Sequence, residues 1–116
     1  MKINYQSLEK KIDLKFKNKN LLIQALTHKS FNPNENNEKI EFLGDRVLGL
    51  VIAKKLLEIY PEEKEGILDK KFASLVNKKT CLDIAKKINL ASYVKTFNPN
   101  NKKIKIEDKI ISDSCE

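Results

Sequence analysis

A chain of 116 residues is one domain's worth, long enough for a single core but not for two. With 41% hydrophobic and 34% charged residues it has the balance of a soluble globular protein rather than that of a disordered chain. The formal net charge of +7 favours an anionic partner, nucleic acid or an acidic membrane surface, but weakly: Arg46 is the only Arg, and such a Lys-, Asn- and Ile-rich composition can arise from the base composition of a gene.

The opening stretch MKINYQSLEKKIDLKFKN lacks the apolar run of a secretory signal. Ser7 is expected to cap a first helix with Leu8, Ile12 and Leu14 on its apolar side, before the polar break KNKN at 17–20. Asn20 is expected to cap LLIQALTH, whose Leu21, Leu22, Ala25 and Leu26 have helical spacing. The Asn-rich FNPNENN, 31–37, reads as a loop. A long helix follows from about Glu38 to Ile59, ended by Pro61. Its apolar residues cover more than one face, which predicts a central helix packed on several sides.

PEEKEGI reads as a turn holding Gly66, followed by helices over Leu68–Val76 and Lys79–Ile88, with Thr80 in the first turn of the second. The polar, Lys-rich NPNNKKIKIED, 98–108, reads as an exposed loop, and DKIISDSCE opens a last helix. The reading is helical nearly throughout. Cys81 and Cys115 are too few and too far apart for a disulfide framework or zinc site, and are expected to be small buried residues. No apolar run approaches the roughly 18 residues of a membrane span. The expected setting is a reducing cytoplasmic compartment, with no membrane partner.

Glu38, Glu41 and Asp45 are spaced by three and four, so they share one stripe of the long helix. Asp113 and Glu116 are three apart in the last helical segment. Carboxylates near a helix start are most often solvated groups favoured by the helix dipole. Two features weigh against that here. Ile40, Phe42, Leu43, Val47 and Leu48 leave Glu41 and Asp45 little room to face water, and Gly44 sits mid-helix at a cost of roughly 1 kcal/mol against Ala. The Gly suggests a close approach to the backbone. Either the acidic stripe is wet, or a cation holds it. Carboxylate oxygens with water suit a hard ion such as Mg²⁺. If the two helices cross, Glu41, Asp45, Asp113 and Glu116 form one acidic pocket.

NNEKIEFLGDRVLGLVIAKKL resembles the signature of the ribonuclease III family, N-E-x-[LI]-E-F-L-G-D-x-V-L. ALTHKSF at 25–31, EGIL at 65–68, SLVNKKT at 74–80, IAKKINL at 84–90 and IISDSCE at 110–116 resemble its other segments, in order along the chain. The family more often has Ser at Asp69, Arg at Phe72, and a Gly-containing loop before the last motif.

The resemblance implies an all-α endonuclease domain with a long central helix, occupying residues 1–116 and incomplete at its C-terminus, with no double-stranded-RNA-binding domain. It implies Glu41, Asp113 and Glu116 as metal ligands, Asp45 and Glu116 as the active-site pair, and Glu38 and Glu65 in supporting acidic positions. Mg²⁺, with Mn²⁺ as a substitute, is the implied cofactor, and no organic cofactor is implied. The implied activity is hydrolysis of double-stranded RNA by a homodimer to 5′-phosphate and 3′-hydroxyl ends, in ribosomal and messenger RNA processing. Phe42 and its neighbours would help form the dimer contact. Lys54, Lys55, Lys70, Lys71, Lys102, Lys103 and Lys105 are candidates for phosphate contacts, or simply a solvated surface. His28, the only histidine, reads as a structural hydrogen-bonder, while Arg46 either neutralises a carboxylate or points outward. The alternatives are a catalytically inactive double-stranded-RNA binder on the same fold, and a helical interaction module whose acidic stripe is solvated.

Overall fold

The computed structural model describes residues 2–97 and 106–116. The elements are α1 (Tyr5–Ile12), α2 (Lys19–Ala25), α3 (Glu38–Ile59), α4 (Glu65–Leu75), α5 (Lys78–Lys87), a 3₁₀ turn (Leu90–Tyr93) and α6 (Asp108–Cys115). The fold is all-α. Among the described residues the β structure is an isolated parallel bridge between Thr27 and Lys95. Most of the segment read as a loop over 98–108 lies outside the described residues, as do Lys102, Lys103 and Lys105.

Helix starts shift from the expected positions because asparagines outside the helices do the capping. Asn4, not Ser7, caps α1, its side chain accepting from the Ser7 N–H at 3.2 Å. Asn18, not Asn20, caps α2 by accepting from the Leu21 N–H at 3.1 Å. Buried Glu9 anchors this corner, accepting from the Phe16 N–H at 2.7 Å and from the Lys19 ammonium. These bonds hold its carboxyl below the ordinary glutamate range, the Lys19 contact contributing most. The loop over 31–37 is built by its own side chains. Asn32 Oδ1 accepts from the Asn34 and Glu35 N–H groups, and Asn36 Oδ1 from that of Glu38, the first residue of α3.

The core joins Leu8 of α1, Leu22 and Leu26 at α2, Ala85 of α5, Leu90, Tyr93 and Val94 at the 3₁₀ turn, and Ile111 of α6. Burying each such leucine contributes about 2 kcal/mol. The backbone N–H of His28 donates to Lys95 O at 2.9 Å and that of Lys95 to Leu26 O at 2.8 Å, fixing the chain after the 3₁₀ turn against the end of α2.

Helix α3 keeps its expected bounds but not its expected packing. Leu56 is its one buried residue, against α4, while Phe42, Leu43, Leu50 and Leu57 are exposed, Leu50 at 71%. The described chain supplies partners for part of the helix surface and leaves a broad apolar face open. This agrees with a radius of gyration of 16.0 Å, above the roughly 13 Å of a compact domain of this length. Gly66 lies within the first turn of α4 rather than in the preceding turn, because Lys64 in extended backbone already starts the helix. Phe72 packs on the bare backbone of Gly49, 3.5 Å from where a Cβ would stand. Cys81 is buried as expected and Cys115 is half-buried.

Candidate active site

Three carboxylates from two helices meet. Glu41 projects from the first turn of α3, Asp113 from α6, and Glu116 follows the last residue of α6; one oxygen of each lies within 4.8 Å of the others. Two features of the sequence let the helices approach. Asn37 is buried, and its side-chain amide donates to Ala25 O at 3.2 Å and Ser114 Oγ at 3.3 Å, tying the start of α3 to α6. Gly44 provides the room. A Cβ there would stand 2.4 Å from the backbone oxygen of Glu116, so no larger residue fits without movement. The close approach expected from the mid-helix Gly is the end of α6.

The sequence reading missed Lys78. Its ammonium sits among the three carboxylates, hydrogen-bonded to Asp113 Oδ1, 3.1 Å from Glu116 Oε1 and 3.8 Å from Glu41 Oε1. Asn77 places it by capping α5, its side chain accepting from the Thr80 N–H at 2.8 Å. Lys78 thereby becomes the first helical residue, where the helix dipole disfavours a positive charge. The carboxylates brought in by α3 and α6 offset that local conflict. A second cation, Lys109, donates to Asp113 Oδ2 at 2.8 Å from one turn earlier in α6.

The electrostatics follow from this arrangement. Burial raises the Glu41 carboxyl, and the negative charges of Asp113 and Glu116 add to the shift against the opposing Lys78. Burial would also raise Asp113, but hydrogen bonds from Lys109 and Lys78 outweigh it and hold the carboxyl below the usual range. Burial would lower Lys78, but its bonds to Asp113 and Glu116 win and keep it charged.

The other candidate residues stand apart from the cluster. Asp45, one turn beyond Glu41, is about half exposed and lies 3.6 Å from Arg46 Nη1. Arg46 also donates to Phe42 O at 3.1 Å and stacks 3.8 Å above the Phe42 ring, so it both pairs with a carboxylate and lies outward on the surface. Glu38 is exposed, 3.4 Å from Lys29 Nζ, and Glu65 is exposed in the first turn of α4. His28 Nδ1 accepts the Ser30 N–H at 3.1 Å and meets the Ser30 hydroxyl at 2.7 Å, a structural arrangement.

The donor set fits a hard divalent ion: three carboxylate oxygens from a preformed cluster, one flank open to water, and an ammonium already among them. Oxygen-only ligands favour hard divalent ions over softer metals.

Comparison with known proteins agrees across the chain. The Ribonuclease-III-like family profile matches residues 18–116. A Ribonuclease 3 from Pelagibacter ubique is 68% identical over 116 residues, all of this chain and 52% of its own length. One from Sulfurovum sp. is 48% identical over 91 residues, 78% of this chain and 41% of that protein. The chain thus spans about half the length of these curated relatives. A crystal structure of the nuclease domain of ribonuclease III from Campylobacter jejuni superposes with a TM-score of 0.83 at 42% identity, covering 98% of this chain and 78% of that one. A second structure of that domain, described for flexibility in the region involved in dimer formation, gives 0.85 at 41% identity, covering 97% and 79%.

Proposed function

The chain belongs to the ribonuclease III family, and from that premise we propose that it is the catalytic domain of a divalent-ion-dependent endoribonuclease acting on double-stranded RNA. The observation that carries the proposal is the convergence of Glu41, Asp113 and Glu116 from helices far apart in sequence. In this reading those three hold the ion. An ion held there would supply an activated water and neutralise charge on the phosphate; with the 3′ oxygen as the leaving group, the bond from phosphorus to that oxygen breaks and the products carry 5′-phosphate and 3′-hydroxyl ends. Asn37 and Gly44 keep the ligands in register, and Asp113 is oriented by giving its second oxygen to Lys109. Asp45, half-exposed one turn along α3 from Glu41, is open to an incoming backbone and joins Glu116 in the catalytic role. Glu38 and Glu65 are assigned supporting roles at the edge of the site.

The exposed apolar residues of α3, Phe42, Leu43, Val47, Leu50 and Val51, support a homodimer whose seam runs beside the carboxylates. A-form RNA is read through shape and phosphates, which surface lysines such as exposed Lys70 would meet. Lys54 and Lys55 flank Glu58, and Lys71 lies 4.1 Å from the Tyr60 ring centroid, so these three already have partners on the surface. Maturation of ribosomal and messenger RNA in the cytoplasm is the proposed setting, in keeping with two free thiols.

The test is a gel assay with a long, perfectly paired RNA, with and without Mg²⁺, on the wild type and Asp45→Asn. Mg²⁺-dependent cutting with 5′-phosphate ends, lost in the variant and absent on single-stranded RNA, is expected. Inactivity both of this chain and of a form extended to the length of its relatives would refute the proposal.

A further inference from the structure

The position that an ion would take among Glu41, Asp113 and Glu116 is the position that the Lys78 ammonium holds. The two cations need the same oxygens. Mg²⁺ draws its ligands to about 2.1 Å, whereas an ammonium bonds carboxylates at about 2.8 Å. Oxygens within 4.8 Å of one another can serve either one after a sub-ångström adjustment, but not both together. We propose that Lys78 is a built-in counter-cation that holds the three carboxylates together in the ion-free protein and swings out when a divalent ion binds, so that this side chain sets how much Mg²⁺ the site requires.

This rests on the reading of the three carboxylates as ion ligands. Three observations carry it further. The Lys78 side chain is 58% exposed, so a way out to water is open. Its place at the first position of α5 is one where the helix dipole repels a cation, and moving the ammonium outward relieves that repulsion. The oxygens of Asp113 are also divided between two lysines. Oδ2 is taken by Lys109 and Oδ1 by Lys78, so an ion that takes Oδ1 displaces Lys78 and leaves Lys109 in place. Lys78 is thus a positioning residue with opposite effects: it orders the ligands before the ion arrives and competes with the ion when it does.

Removing the charge while keeping the bulk, as in Lys78→Met, separates this from a purely structural role. Mn²⁺ binding is counted by the loss of its free-ion paramagnetic resonance signal, and melting of the ion-free proteins is followed in parallel. The expected result is Mn²⁺ affinity raised about tenfold, equivalent to about 1.4 kcal/mol, with an ion-free Tm below that of the wild type because the carboxylates now repel one another. Lys109→Met, which leaves Oδ1 as it is, is expected to tighten binding less. Equal or weaker Mn²⁺ binding in Lys78→Met would overturn the displacement while leaving the ion site standing. No Mn²⁺ binding by the wild type would overturn both. Should Lys78→Met not fold, ¹⁵N-lysine spectra of the wild type give the answer. One slowly exchanging ammonium signal should be lost on adding Mg²⁺ while that of Lys109 stays; persistence of both would overturn the proposal.

Discussion

Gly44→Ala separates the site from the fold. The added methyl would stand 2.4 Å from Glu116 O and 2.9 Å from Glu116 C, whereas real Cβ contacts stay above 3.0 Å, so something must move by at least about 0.6 Å. Gly44 lies within the 22-residue α3, whose backbone is held by hydrogen bonds on both sides, so the strain falls on the contact with Glu116, one of the three carboxylates of the cluster. Alanine in a helix interior is favoured over glycine by about 1 kcal/mol, which offsets much of the local cost. Tm should thus fall only slightly from the wild-type value. The site is less forgiving, since productive constellations tolerate about 0.5 Å and a misplacement of about 1 Å can cost roughly a hundredfold in rate. Mn²⁺ affinity and double-stranded-RNA cleavage are therefore expected to fall about tenfold. Melting curves and Mn²⁺ titrations on the same preparations measure both. Unchanged ion affinity would refute the reasoning, and so would a large fall in Tm, which would put the clash on general packing.

Leu26→Ala removes a side chain that is only 3% exposed, from the junction of α2 and the bridge to Lys95. A loss of about 2–5 kcal/mol in urea unfolding is expected, and a loss under about 1 kcal/mol would show that the core lies elsewhere. Glu9→Gln should reveal a pH signature. The folded-state pKa of Glu9 is depressed, so its contribution is present above the ordinary glutamate value near 4.3 and is lost as pH falls through the lower folded value. The Tm gap between wild type and variant should therefore be full at pH 7 and close below about pH 4; a gap unchanged at pH 3 would disprove the clamp.

The ends of α3 were legible because Glu38 follows an Asn-rich loop and Pro61 stops the helix, both strong local signals. Gly44 was legible for the same reason: a costly residue at an interior helix position needs an explanation that lies outside the helix. The caps were misplaced because NKN and NYQS each offer two competent side chains within a few residues, and tertiary contacts such as Glu9 with Phe16 and Lys19 favour one of them. Lys78 was hidden among 22 lysines; its role depends on which helices meet α5, and spacing along one helix carries no such information. The apolar residues of α3 pointed to a helix packed on several sides, whereas Leu56 is its one buried residue and a broad apolar face stays open, because spacing along one helix does not say what this chain supplies as cover.

The hydrogen bond from Asn37 to Ser114 joins residues 77 apart in sequence. Helix α3 is built from local bonds and can form early, whereas bringing Asp113 and Glu116 to Glu41 requires a long loop to close, a slow and entropically costly event. On a ribosome, a nascent chain with α3 already outside the exit tunnel would carry Glu41 without its two partners until α6 emerged. The carboxylate cluster therefore cannot assemble until α6 has left the tunnel, however early α3 folds.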